Sequence, residues 1–402
     1  MQPLDHIISL GEARAKLDAA VVPIERSLRV PLDEAGGRVA ARDVTAPADV
    51  PPFDRAAMDG YAVLAADTAG ASRETPKRLL RTETVFTGQM PSVRVSHGHC
   101  VEIATGAPMP DGADAVVMVE ETDRDDAGGV QIFVPAHAGQ NIGRRGADLT
   151  AGQVVVSHGD FLHPSRVGAL AAVGAREVEV FDRPRVAILS TGNEIVEPGR
   201  SLAPGQIYDV NRYTLSTIVA AHGGVPVAYH TAKDTLEDLL TALDRCLQED
   251  IVVFSGGSSV GERDLILDAI KATGDVIFHG IAVKPGKPTA FGLVGGKPIF
   301  GMPGYPTSCL SNGYVLLVPF LRRLARLPPH RPTIVQVPLA RRIASVPGRY
   351  QFFTVRLADG KAEPAFKASG DITSMSRADG YIEIAAEVEV VEAGEVVEVK
   401  LF

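Results

Sequence analysis

Ile251-Val252-Val253-Phe254-Ser255-Gly256-Gly257-Ser258-Ser259-Val260-Gly261-Glu262-Arg263-Asp264 is the stretch that decides the fold. Its first four residues are all apolar, with no polar face. That is the pattern of a central parallel strand covered on both sides. Gly256 and Gly257 then allow positive φ and close main-chain approach, which suits a phosphate or a flat heterocycle. Outward from this strand the chain alternates. Val186–Leu189, Val225–Tyr229 and Val276–Phe278 read as strands, and a hairpin turns at Gly295-Gly296. Leu215, Ile218 and Val219 mark one helix, and Leu236, Leu239, Leu240, Leu243 and Leu247 a second with a clear 3.6 period. Ile266, Ala269 and Ile270 mark a third, and a final helix runs to about Arg326. The alternation predicts a three-layer α/β domain, whose ligands sit beyond the carboxyl ends of the strands.

The flanks differ in character. Residues 4–20 read as a short amphipathic helix. Residues 46–150 are rich in Pro, Gly, Thr and Val, with short apolar strands such as Ala115–Val119 and Val130–Val134, and read as a separate all-β piece. Val154–Val156 is a further strand. Pro164 to Gly174 carries a helix signal, with Pro near N1 and Gly at C′. Pairing that helix with residues 4–20 makes the β piece an insertion between them. After Leu327-Pro328-Pro329 the chain reads as strands at Ile334–Val337, Phe352–Leu357, Glu387–Val391 and Val396–Leu401, closing as a small β-barrel. The expected class is α/β multidomain: an elongated N-terminal region over 1–178 holding an inserted β domain at about 46–147, the α/β domain over 179–327, and the barrel over 328–402.

Net charge is −9 over 402 residues, and no Lys/Arg run exceeds two. A basic face for nucleic acid is not expected. No apolar run approaches a membrane span and no signal pattern opens the chain, so the expectation is a cytoplasmic protein without membrane contact. Cys100, Cys246 and Cys309 are isolated, which argues against a disulfide framework. His97-Gly98-His99-Cys100 invites a zinc reading, but on a strand Cys100 would point away from the two histidines, and a solvated strand edge is favoured.

Lys284-Pro285-Gly286-Lys287-Pro288 places two cations on a proline-stiffened loop, and Pro303-Gly304-Tyr305-Pro306 is a Gly-Pro turn that starts a helix. Against the acidic chain these suggest a discrete phosphorylated small molecule. Ser190-Thr191-Gly192-Asn193-Glu194 follows a buried strand and offers hydroxyls and backbone N–H groups. A plain tight turn is the competing account. Asp234 reads as an N-cap with Glu237 as its reciprocal acid, and Asp264 as a helix-start acid. Glu194, Asp234 and Asp264 all follow strand ends, where three carboxylates would repel one another unless a cation such as Mg2+ sat among them. Gly257-Ser258-Ser259-Val260-Gly261 also matches the nucleophile elbow of serine hydrolases, with Ser259 as nucleophile and Asp275 with His279 or His330 as partners. The Lys284 loop lacks the spacing of a Walker A loop.

Together these residues resemble the molybdopterin molybdenumtransferases, the MoeA proteins, related to the gephyrin C-terminal domain. The motifs run in family order: Val50–Asp54 with Ala57–Ala62, Ala104–Pro108, Asn141–Asp148, Ser190–Glu194, Ser255–Gly257 with Val260-Gly261, Lys284–Pro288, and Pro303-Gly304 with Pro306. The resemblance implies a MogA-like α/β domain and insertion of molybdate into adenylylated molybdopterin, with AMP released and Mg2+ assisting. It implies a homodimer, with possible handover from a MogA-like adenylyltransferase. Asp59, Asp148, Glu194, Asp234 and Asp264 would be catalytic, with Glu194, Asp234 and Asp264 as metal ligands. Thr105, Thr191, Gly192, Ser255, Gly256, Gly257, Lys284, Lys287, Pro303 and Pro306 would bind the cofactor substrate. Met302 and Tyr305 depart from the commoner Leu and Asn. A carrier that binds molybdopterin without converting it is the remaining alternative.

Overall fold

The computed structural model describes residues 7–229, 235–256 and 264–402, and structural statements below concern these residues. They divide into two compact units. One comprises residues 1–28, 37–39 and 180–402, and the other 29–36 and 40–179.

The larger unit is built on a mixed six-stranded sheet. Its strands are β1 (Arg185–Ser190), β2 (Val225–Ala228), β3 (Ile251–Ser255), β4 (Asp275–His279), β5 (Ala290–Val294) and β6 (Lys297–Met302). The order is β2-β1-β3-β6-β5-β4. β1, β2, β3 and β6 are parallel, and β5 runs antiparallel to both β6 and β4. Strand β3 is central and wholly buried, as its unbroken apolar run requires. Its residues alternate between two cores. Val253 joins Val186, Ile188, Leu215, Ile218 and Phe320 on one face. Val252 and Phe254 join Leu239, Leu243, Ile266 and Ile270 on the other. Helices therefore cover both faces: α1 (Leu10–Ala20) and α2 (Asn211–Ala221) on the first, α3 (Leu236–Cys246) and α4 (Leu265–Thr273) on the second. Helix α5 (Pro306–Asn312) follows β6 and continues through a π turn at Gly313–Leu317 into Val318–Leu324.

Several boundaries correct the sequence reading. Helix α1 starts at Leu10, not residue 4, because Ser9 and Glu12 form a reciprocal capping box there. The helix at Pro164–Ala172 does end at a positive-φ Gly174, but it lies in the other unit from α1. Helix α3 is capped by Thr235, whose hydroxyl accepts from the Asp238 N–H. The Asp234 cap with Glu237 gives way to Thr235 with Asp238, a shift of one residue. The strand expected at Glu387–Val391 reduces to Val390–Val391.

The strands beyond Leu327 form a sheet that Val283–Lys284 joins at one edge, in the order Val283–Lys284, Tyr350–Ala358, Gly380–Ile384, Val396–Leu401, Ile334–Pro338, with Lys361–Pro364 paired onto Tyr350–Ala358. In the smaller unit a six-stranded sheet takes the order Ala115–Met118, Gly60–Val63, His99–Ile103, Lys77–Val85, Gly129–Ile132, Thr122–Arg124. It too is covered on both faces, by clusters around Tyr61 and Ile132 and around Ile103 and Val116. His97 sits in the turn before its strand and pairs with Asp67 at 2.6 Å, while Cys100 is buried. Burial pushes the Cys100 thiol up to about 12, so a thiolate zinc ligand is disfavoured there. No described helix is long and apolar enough to cross a membrane.

His222 caps the carboxyl end of α2. It is buried against His330, with ring centroids 4.7 Å apart. Desolvation, then the charges of His330 and Arg322, lower its pKa from 6.5 to about 4. The folded state thus keeps His222 neutral while the unfolded chain takes up a proton near pH 6.5. This contribution to stability is complete above that pH and declines as pH falls from about 6.5 towards 4. Thermal melts between pH 7.5 and 4.5 should show this decline, and H222F should flatten it.

Candidate functional site

β1 passes to β2 on one side, and the chain later returns to β3 on the other side of β1. Adjacent parallel strands whose connections leave in opposite directions open a crevice at their carboxyl ends. Ser190 and Ser255 are register partners at that edge. Thr191 N–H donates to Ser255 O at 2.9 Å, and Gly256 N–H to Met302 O at 3.3 Å, so the ends of β1, β3 and β6 are joined. Gly256 has φ +106°, and a Cβ there would lie 2.3 Å from Thr191 O. Only glycine lets the two loops touch. A Cβ on Gly192 would likewise lie 2.7 Å from both oxygens of Glu194, whose carboxylate folds back over that glycine.

Beneath the loops lies a carboxylate that sequence reasoning missed. Asp209 is 4% exposed. Its Oδ1 accepts from Ser190 Oγ at 2.9 Å and from Arg212 N–H at 3.1 Å, fixing the first loop to the start of α2. Asn211 Nδ2 donates to Gly304 O at 2.8 Å. Two buried oxygens in this region, Thr191 Oγ1 and Asn211 Oδ1, have no hydrogen-bond partner among the described residues. Buried polar atoms are rarely left so, and each such atom has unused capacity for a ligand.

The lysine loop is held from below. Gly286 has φ +101° and packs on Asn312, which is 1% exposed. Asn312 Nδ2 donates to Gly286 O at 2.8 Å and to Thr289 Oγ1 at 2.6 Å, and Thr289 Oγ1 donates to Gly286 O at 2.9 Å. The Lys284-Pro285 bond is cis, and Val283-Lys284 pairs in parallel with Tyr350-Gln351. Lys284 and Lys287 are both partly exposed on this fixed turn. Pro303 precedes Gly304 in the turn, and Pro306 opens α5.

Asp264 caps α4, its Oδ1 accepting from Leu267 N–H at 3.0 Å, as its helix-start position suggests. Its Oδ2 lies 3.2 Å from His279 Nε2. His279 is thereby committed to Asp264, which counts against the triad of Ser259, Asp275 and His279. Ser259, Asp234 and Gly257 lie outside the described residues. Among those described, no group of three or more His, Cys, Asp or Glu side chains is gathered as for a metal ion.

In the smaller unit, Asp59 Oδ1 accepts from Thr105 N–H at 2.7 Å and Thr105 Oγ1 at 3.0 Å. These bonds, the backbone one first, lower the Asp59 pKa and keep it ionised. Both residues are exposed. Gly60 is obligatory beside them, since a Cβ would lie 1.9 Å from Val117 O. Asp148 is exposed on the turn whose N–H groups return to Val50 O.

A switch-point crevice with glycine-lined loops, buried oxygens unpartnered among the described residues and a braced lysine turn is the arrangement of an α/β small-molecule binding protein. Residues 8–174 match the MoeA N-terminal region (domain I and II), residues 187–323 a probable molybdopterin binding domain, and residues 336–402 the MoeA C-terminal region (domain IV). The chain is 38% identical over 384 residues to molybdopterin molybdenumtransferase 2 of Mycobacterium tuberculosis, covering 92% of this chain and 93% of the relative. It is 32% identical over 405 residues to the Haemophilus influenzae molybdopterin molybdenumtransferase, covering 98% and 99%. A solved MoeA protein structure from Pyrococcus horikosii superposes with TM-score 0.84 at 41% identity, covering 98% of this chain and 99% of that one. The chain belongs to the molybdopterin molybdenumtransferase (MoeA) family.

Replacing Asn312 by Ala should leave the Gly286 carbonyl and the Thr289 hydroxyl short of a buried donor. A loss of about 1–3 kcal/mol is expected, measurable by chemical denaturation.

Proposed function

We propose that the chain is a transferase of molybdenum-cofactor biosynthesis. It binds adenylylated molybdopterin, places molybdate at the dithiolene and releases AMP. The observation that carries this is the pair of loops at Ser190–Gly192 and Ser255-Gly256, fused at the switch point. The main chain at Gly192 and the Thr191 hydroxyl, which has no partner among the described residues, suit the phosphate end of the substrate. Lys284 and Lys287 neutralise the pyrophosphate, and Pro303 and Pro306 shape the wall opposite. Thr191 and Asn211 supply acceptors that are unused among the described residues.

The acids at the strand ends offer only oxygen donors, which fits Mg2+. Glu194 and Asp264, with Asp234, would hold it. Asp264 already accepts two hydrogen bonds, so its share is through remaining lone pairs. When bound, the ion would offset the charge that develops as the pyrophosphate is cleaved. Asp59, steadied by Thr105, and Asp148 are assigned to the molybdate side of the reaction.

We propose further that the protein works as an elongated homodimer in the cytoplasm. Asp59, Thr105 and Asp148 of one subunit would then serve the strand-end site of another. Substrate would come by handover from a MogA-like adenylyltransferase. The domain limits at 1–178, with the insertion at about 46–147, 179–327 and 328–402 belong to the same reading, as does closure of the last sheet into a barrel. Nucleic acid and membrane have no place in it.

Purified protein given adenylylated molybdopterin, Mg2+ and molybdate should release AMP. Silence from a folded dimer would reduce the chain to a carrier. D59N and D264N should each abolish release. Co-expressed together, they should recover about a quarter of wild-type activity if each site draws on both subunits. No recovery would place both acids in one chain's site.

A further inference from the structure

Tyr305 is the N-cap residue of α5 and is 65% exposed. The backbone that carries it is fixed on three sides. Gly304 O accepts the Asn211 bond, and a Cβ on Gly304 would sit 3.4 Å from Gly256 Cα. Tyr305 thus directly follows the residue that packs on Gly256 of the β3 loop. From the C-terminal region, Ser369 O accepts from Thr307 N–H at 3.1 Å and Asp371 O from Thr307 Oγ1 at 3.1 Å. Gly370, between them, meets the Tyr305 ring at its Cδ1 and Cε1 edge, 3.5 and 3.6 Å from a Cβ built there. The Tyr305 hydroxyl makes no hydrogen bond among the described residues.

The ring is thus braced at one edge, largely exposed, and carried on the turn that packs against the β3 loop. An aromatic side chain on a rigid backbone loses little entropy when a second flat ring lies on it. A phosphate-only ligand would draw nothing from such a surface. A substrate with a heterocycle beyond its phosphates would. We infer that Tyr305 is a stacking platform for a planar heterocycle of the substrate, either the adenine or the pterin. This rests on the function proposed above.

The test uses full-length wild type, Y305A and Y305F, with thermal melts to confirm folding. AMP and molybdopterin are titrated separately, since the first carries only the adenine and the second only the pterin. Adenylylated molybdopterin is then used in the AMP-release assay. Y305A should weaken binding of at least one ring-bearing ligand by roughly five- to 150-fold, the range of a lost aromatic–base stack. It should raise KM by a similar factor with kcat within about twofold, since a stack formed in both ground and transition states is lost uniformly. Y305F should behave as wild type. The ligand that responds names the ring. Wild-type affinity and KM in a folded Y305A would overturn the assignment, as would a Y305F as impaired as Y305A, because the hydroxyl would then be what matters. If wild type itself binds neither ligand and releases no AMP, the functional reading fails and the stack with it.

Discussion

The buried triangle of Asn312, Thr289 and the Gly286 carbonyl is the constraint on which the site rests. One amide, contributed by the last residue of α5, reaches both ends of the lysine turn. A Cβ at Gly286 would lie 2.3 Å from the Asn312 nitrogen, so the turn closes down until main chain and amide touch. The same helix begins at Tyr305 and is tied through Gly304 to Asn211, and its first turn receives Ser369 and Asp371. Seven residues of helix therefore set the spacing between the lysines, the crevice wall and the C-terminal strands. Low exposure makes these bonds matter: a polar group left unpaired at such depth costs more than a made bond gains.

Above that base, the crevice is a consequence of sheet order. β1 and β3 are neighbours, and their loops must diverge. Here they are held together instead by the Thr191–Ser255 bond and by the absence of a side chain at Gly256. Asp209 anchors the first loop from beneath through Ser190. The resulting wall is made largely of backbone, whose N–H groups at Thr191 and Gly256 are spent on stiffening it.

The sequence disclosed the strands with unbroken apolar runs, because burial on both faces leaves no room for polar residues. β3 is the clearest; its neighbour β1 follows from βα alternation, and β6 from the hairpin that turns at Gly295-Gly296. Gly256 was legible as a close-approach glycine, and Asp264 as a helix-start acid. Asp209, Asn312 and Thr289 were not, since the bonds Ser190–Asp209, Asn312–Gly286 and Asn312–Thr289 span 19 to 26 residues and no local pattern announces such contacts. The α3 cap slipped by one residue because Asp234 and Thr235 are both good caps, each followed three residues on by an acid. Periodicity marks both α1 and the helix at Pro164 as amphipathic, but it shows only that a helix has a buried face, without saying what covers it.

Leu10, Ala13 and Leu17 of α1 lie in the same core as Val186, Ile251 and Phe300, and the whole smaller unit intervenes between them in the chain. A ribosome therefore delivers α1 first and its binding surface much later. The intervening unit has all its strands in hand once Glu179 has emerged, and domains tend to fold as they are completed. Helix α1 must wait, apolar face uncovered, until the strands from Arg185 onward have been made. Translation order and folding order are inverted at this one helix, and its brevity and capping-box start keep the waiting segment small and locally satisfied.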